Sequence, residues 1–247
     1  MLILGIDTAT AQVGCAIGGH EGVLASSHSS RGRRHAETLT PAIEFVSRQA
    51  RVPLAEIGAV AVDVGPGLFT GLRVGIASAK AIAFALRVPM IGVSSLDLLA
   101  FPARLTPRRI VAVIDARRGE LFYAFYVAVP GGVQRLSEPV VGTPQDLVSE
   151  LWATGEEHFL VGDGALRYRD ELADVPRVEF AEQGLAHPSA ISLVQLAHAR
   201  ALREEWVAPS DLEPVYLRKP DAEINWSTRA AAPGAPRVPG PSPRSEL

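Results

Sequence analysis

Two successive runs of short apolar strands, tight turns and amphipathic helices constrain this chain more than any single motif does. Leu2 to Ile6 predicts a buried strand, with Gly14 to Gly18 and Gly22 to Ser26 as hairpin neighbours. A helix follows from about Ala36 to Ala50, because Leu39, Ile43, Val46 and Ala50 recur on one face; Pro41 places a kink or a start in its first turn. A strand at Ala59 to Val64, a helix at Gly71 to Leu86 and a strand at Pro89 to Val93 complete the first run. From Arg109 the pattern restarts with strands at Ile110 to Ile114, Leu121 to Val129 and Val133 to Val141. A helix near Pro144 to Trp152, a strand at His158 to Val161 and a helix from about Ser189 to Glu205 follow. Strands that pair as hairpins and then alternate with helices predict mixed sheets with helices on their faces. The two units meet near Phe101 to Arg108, which carries Pro102 and Pro107. Residues 1–103 and 104–229 are the expected halves, and 230–247, with five of the 19 prolines, the expected disordered tail.

Composition narrows the classes of function. With 24 basic against 27 acidic residues the chain carries −3, so it lacks the basic footprint of an autonomous nucleic-acid binder, and any RNA contact must be local or shared with a partner. All the basic residues except Lys80 and Lys219 are arginine, which fits a GC-rich genome. The single cysteine, Cys15, can form no intramolecular disulfide, and the first residues show no basic leader, so a cytoplasmic location is expected. The most apolar segment, Val74 to Leu86, is interrupted by Lys80, and no membrane association is expected.

Chemistry-bearing patterns are sparse. The stretch Val64 to Gly75 joins a strand to a helix and holds Gly65, Gly67 and Gly71, as phosphate-binding loops do, but the spacing matches neither the dinucleotide fingerprint nor a Walker loop. Spacing alone favours a tight structural turn there. On the helix after it, Leu72, Ile76, Ala79, Ala83 and Leu86 form one stripe; Gly71, Gly75, Ser78, Ile82 and Ala85 form a second of mostly small residues that a further helix could approach. Phe45 lies off the apolar face of the preceding helix and is a candidate interface anchor. No two of the six histidines are three to five residues apart, which removes a helical zinc pair, and Cys15 in an apolar strand reads as an inert thiol. Arg31 to His35 forms one basic run, and Arg104, Arg108, Arg109, Arg117 and Arg118 surround the start of the second unit. Asp115, Arg117, Arg118 and Glu120 read as a hairpin turn with local ion pairing.

Several segments together resemble the TsaB (YeaZ) family of bacterial tRNA threonylcarbamoyladenosine biosynthesis proteins. They are Ile3 to Thr8, Arg34 to Pro41, Gly65 to Lys80, Val93 to Asp97, Asp115 to Glu120, Gly162 to Ala165, His187 to Ala190 and Pro214 to Arg218. The resemblance implies an α/β actin-like, Hsp70-like ATPase (ASKHA) fold of two related halves with mixed sheets. It implies a non-catalytic chain that pairs with the paralogue TsaD, works with the ATPase TsaE and reaches tRNA only through that complex, with a homodimer as the alternative contact when alone. No cofactor is implied for this chain; ATP and a metal ion are implied for the partners. The partner contact would fall on the first two helices, with Leu39, Ala42, Phe45, Val46, Gly71, Arg73, Val74, Gly75 and Ser78 at the interface. Asp7, Thr8, Gly65, Gly67 and Thr70 would lie nearest any nucleotide, and no metal ligands are expected. An ATP-binding phosphotransferase using Asp7, Thr8 and the turn at Gly162 to Gly164, and a metallopeptidase, stay as alternatives.

Overall fold

The computed structural model describes residues 1–30 and 34–218. The expected tail at 230–247 and part of the Arg31 to His35 run lie outside the described residues. Strands β1 (Leu2–Asp7), β2 (Val13–Gly19), β3 (Gly22–Ser29), β4 (Ile57–Gly65) and β5 (Met90–Ser94) form a five-stranded sheet in the order β3-β2-β1-β4-β5. The first three pair antiparallel and the last two run parallel to β1. Helices α1 (His35–Ala50) and α2 (Phe69–Leu86) supply the crossovers that parallel pairing requires.

The second sheet repeats this plan. Strands β6 (Arg109–Arg117), β7 (Glu120–Val129) and β8 (Gly132–Arg135) pair antiparallel, while β10 (His158–Val161) and β11 (Val178–Phe180) run parallel, in the order β11-β10-β6-β7-β8. Helix α4 (Pro144–Thr154) and the short helices α5 (Asp163–Arg167) and α6 (Arg169–Leu172) make its crossovers. Two copies of one mixed-sheet plan constitute the two-half actin-like architecture that the resemblance implies. The strand expected at Val133 to Val141 is broken into β8 and a separate β9 (Val140–Gly142), with Pro139 between them unable to donate to a ladder. β11 is three residues long, too short to leave an alternating pattern.

Alternation along the strands gives the first sheet two apolar faces. Leu4, Ile6, Val60 and Val62 meet Leu39, Ile43 and Val46 of α1 and Ile76, Ala79 and Ala83 of α2. On the other face, Ile3, Ala59, Ala61, Ile91 and Val93 meet Leu193 and Ala197 of α7 (Ala190–Ala201). Chain order assigned that helix to the second unit; it packs instead on the first sheet, since the apolar face of β1 and β4 needs a cover that α1 and α2 cannot supply. In exchange, α3 (Ser95–Ala100) sends Leu96 and Leu99 into the core of the second sheet, beside Ile110, Ile114 and Phe122. Asp97 of α3 accepts hydrogen bonds from Arg135 Nη2 at 2.5 Å and from the Tyr126 hydroxyl at 2.9 Å, and lies 3.5 Å from Arg200 Nη2 of α7. One carboxylate therefore ties elements covering both sheets.

By length and composition α2 could also cross a membrane, but Gly71, Leu72, Gly75, Ile76, Ala79 and Ala83 are buried within the chain. Cys15 is fully buried on β2, and burial pushes its thiol up to about 12, as an inert core cysteine requires.

Candidate functional site

The glycine-rich turn after β4 is held against the end of β1. The Leu68 amide donates to the Ala9 carbonyl at 2.7 Å, and the Thr8 hydroxyl donates to the Gly71 carbonyl at 2.7 Å. A side chain at Gly67 would collide with the Ala9 carbonyl, one at Gly71 with the Thr8 carbonyl, and one at Gly75 with Thr8 Oγ1. Gly65 has φ 101°, a left-handed conformation that favours glycine, and a side chain there would also meet the carbonyl of Val215, whose amide bonds to Val64. These glycines are selected by close approach of the chain to itself, as the spacing favoured. Thr70, by contrast, is exposed at the start of α2.

Asp7 is fully buried and Thr8 nearly so. Asp7 Oδ1 accepts from the Ala9 amide at 3.0 Å, while Asp63 Oδ1 accepts from the Gly65 amide at 2.8 Å and the Ser95 hydroxyl at 2.5 Å. The Oδ2 atoms of both have no hydrogen-bond partner. Burial, then the charge of Asp63, holds the Asp7 carboxyl well above the ordinary range; burial raises Asp63 to about 6. Thr8 is committed to Gly71 and Asp7 is fully buried, so both side chains at the end of β1 are turned into the chain. Of the residues expected nearest a nucleotide, only Thr70 is exposed. Asp63 was missed in the sequence, although an acid inside the apolar run Ala59 to Val64 was a visible signal.

Four expected interface residues face inward. Leu39 and Val46 are 2% and 0% exposed in the core beneath α1, and Gly71 and Gly75 are covered by Thr8, so none of the four is available to a partner. The reason is geometric: small residues on α2 admit the β1–β2 connection, not a second subunit. Phe45 is 42% exposed and Arg73 is exposed, with Ala42, Val74 and Ser78 half-buried around them. The open face of α2 is a third stripe, Thr70, Arg73, Ala77, Ala81 and Phe84, and Phe84 is 61% exposed. Dividing the helix into two stripes overlooked it. The Arg73 guanidinium sits 4.0 Å above the Phe69 ring, which lies 5.3 Å from the ring of Tyr216. The segment at Pro214 to Tyr216 thus extends this surface.

At the corresponding end of the second sheet, Asp115 closes β6. Its Oδ2 accepts from Arg117 Nη1 at 3.0 Å and from Arg167 Nη1 at 3.1 Å, and its amide donates to Asp163 Oδ1 at 3.0 Å. Burial raises the Asp163 carboxyl and lowers His187, whose Nδ1 is buried without a partner. Among the described residues, no three His, Cys, Asp or Glu side chains cluster to hold a metal ion.

The family model described as "TsaD: tRNA N6-adenosine threonylcarbamoyltransferase" matches residues 22–226. The tRNA threonylcarbamoyladenosine biosynthesis protein TsaB of Escherichia coli is 31% identical over 221 residues, covering 88% of this chain and 95% of that protein. The chain belongs to the TsaB (YeaZ) family. YeaZ from Pseudomonas aeruginosa superimposes with a TM-score of 0.77 at 29% identity, over 87% of this chain and 99% of that one. Uncharacterized protein ML0378 of Mycobacterium leprae is 36% identical over 230 residues, 90% of this chain, but this chain spans only 56% of its length.

TsaB family membership gives the repeated fold its context. His187 to Ala190 lies between two groups of the segments that carried the resemblance: the Pro188 carbonyl accepts from Gln12 Nε2 at 3.2 Å, and His187 feels the charge of Asp163. Gly65 to Gly75 and Ile3 to Thr8 meet at the end of the first sheet, while Asp115 to Glu120 and Gly162 to Ala165 meet at the end of the second. Arg34 to Pro41 joins the first group through His35, whose Nε2 lies 2.8 Å from the Thr10 carbonyl.

Proposed function

We propose that this chain is the non-catalytic scaffold subunit of the complex that makes threonylcarbamoyladenosine in tRNA, activating the catalytic paralogue TsaD by docking to it. The coarser part, a role in tRNA threonylcarbamoyladenosine biosynthesis, follows from TsaB family membership. The finer part rests on one observation: Thr8 is bonded within the chain and Asp7 is fully buried, while α1 and α2 leave Phe45, Ala77, Ala81 and Phe84 exposed. A 61% exposed phenylalanine on an alanine-rich helix face is the kind of aromatic anchor that protein interfaces use. TsaD, with TsaE, then transfers the threonylcarbamoyl group from threonylcarbamoyl-adenylate to the amine of the adenosine adjacent to the anticodon, releasing AMP, and this chain supplies surface to that assembly.

Reconstitution of tRNA modification from purified TsaD and TsaE with ATP and threonylcarbamoyl-adenylate, with and without this chain, tests the reading. Modification that depends on this chain supports it, and full activity in its absence overturns it.

A further inference from the structure

Apart from Arg104, which stacks on Phe101, the arginines around the start of the second unit fall at the two ends of β6. Arg108 and Arg109, at the beginning of β6, are met by Glu156, Glu157 and Glu179. At the other end of the same strand, Arg117 and Arg167 share the single carboxylate of Asp115, with Arg118 exposed beside them. The guanidinium-bearing side chains of Arg117 and Arg167 are 45% and 54% exposed, whereas that of Asp115 is 3% exposed. Asp163 and Glu120, the latter opposite Arg117 across the hairpin, are both half-buried. The carboxylate that Arg117 and Arg167 share is set back, and the two arginines stand forward of it.

The backbone of this hairpin is unusual in the same place. Arg117 has φ 65° and Arg118 φ 58°, both left-handed, before Gly119 at φ 78°. Asn, Asp and Gly are the residues such turns prefer, and a side chain with a Cβ costs about 1 kcal/mol or more in this region. Two consecutive arginines occupy those positions. Asp115 offsets part of the cost by accepting the Arg117 amide at 2.9 Å and its guanidinium at 3.0 Å. The outcome is a preorganised pair of guanidiniums, each bonded to Asp115 through Nη1 alone, with Arg167 also beside the Tyr168 ring at 5.7 Å. The space that a side chain at Gly119 would enter is open. A projecting hairpin of this kind suits phosphates strung along a backbone better than a small anion needing an enclosing wall.

We propose that the Arg117–Gly119 hairpin, with Arg167, is a phosphate-contact site for the tRNA on which the complex acts. This rests on the tRNA-modification reading above. It accounts for how a chain of net charge −3 touches RNA: locally, with most of the affinity supplied by other subunits.

The test is tRNA binding to the assembled complex containing full-length chain, followed by fluorescence anisotropy with a labelled tRNA transcript between about 50 and 200 mM salt. Arg117→Gln and Arg167→Gln are used singly, so that the other arginine still faces Asp115, alongside Arg118→Gln. Each Gln variant that loses a contact should weaken binding about 3- to 10-fold at low salt and reduce the log–log salt slope by about 0.7 to 0.9. Arg117→Lys and Arg167→Lys, which keep the charge, should recover the slope. Unchanged affinity and slope in all three Gln variants overturn the proposal. So does an equal loss in the Gln and Lys variants that tracks a lowered melting temperature, which marks a purely structural turn. Weakened subunit association with intact tRNA affinity marks an acidic protein partner instead and likewise overturns it. If the wild-type complex modifies tRNA and needs this chain, these outcomes bear on the hairpin alone; if modification does not need the chain, the scaffold reading fails first.

Discussion

The Thr8 hydroxyl donates to the Gly71 carbonyl at 2.7 Å, fastening the end of β1 to the first turn of α2. That one bond, with glycines at 71 and 75 on either side of it, turns a surface that looked ready for a partner into part of the chain's own core.

Gly75→Val should therefore act on folding first. Its side chain would occupy the position of Thr8 Oγ1, and forced overpacking of this kind costs about 1 to 3 kcal/mol. Urea denaturation of the isolated chain is the check; unchanged stability would place Gly75 outside the core.

Phe84→Glu should do the reverse. At 61% exposure Phe84 contributes little to the fold, so stability should move by no more than about 0.5 kcal/mol. As a central interface anchor its loss should cost about 2 kcal/mol or more of binding, a weakening of TsaD association of roughly 30-fold or greater. Titration calorimetry reads this, and Phe45→Glu should give a smaller effect in the same direction. Equal affinity in wild type and both variants would remove the α1–α2 face from the contact.

Acid pH should stabilise this protein over part of its range. Asp7 and Asp63 have raised folded-state values, so between the unfolded carboxylate value near 4 and about 6 the folded state holds protons that the unfolded state has released. The contribution is present in full below about pH 4 and is lost as pH rises through the folded values, Asp7 following Asp63 upward. The slope approaches about 1.4 kcal/mol per pH unit for each group in its window. Asp7→Asn, which keeps an acceptor for the Ala9 amide, should flatten this dependence in denaturation curves run from pH 4 to 8. A variant with the wild-type slope would show that Asp7 is ionised in the fold.

Asp97→Ala should loosen the connection between the sheets. It removes the acceptor for Arg135 and Tyr126 and the counter-charge to Arg200, leaving part-buried donors unsatisfied at a cost of about 1 to 3 kcal/mol. Hydrogen exchange should rise at β7, β8 and α7 together. Faster exchange confined to α3 would show that the carboxylate holds only its own helix.

Local pattern was enough to read most elements and to expect two similar halves, because period-2 and period-3.6 hydrophobicity are written directly in residues such as Leu39, Ile43 and Val46. Joint short motifs were enough to expect the family. Which sheet α7 covers was not legible, since the apolar face of Leu193 and Ala197 fits either sheet and only long-range packing chooses between them. The use of Gly71 and Gly75 was equally open: a small residue states that something comes close, and only the tertiary fold says that it is Thr8. The buried state of Asp7 and Asp63 and the sharing of Asp115 by Arg117 and Arg167 belong to the same class. Each depends on groups distant in sequence, whose proximity sets desolvation and charge, and neither quantity exists until the chain has folded.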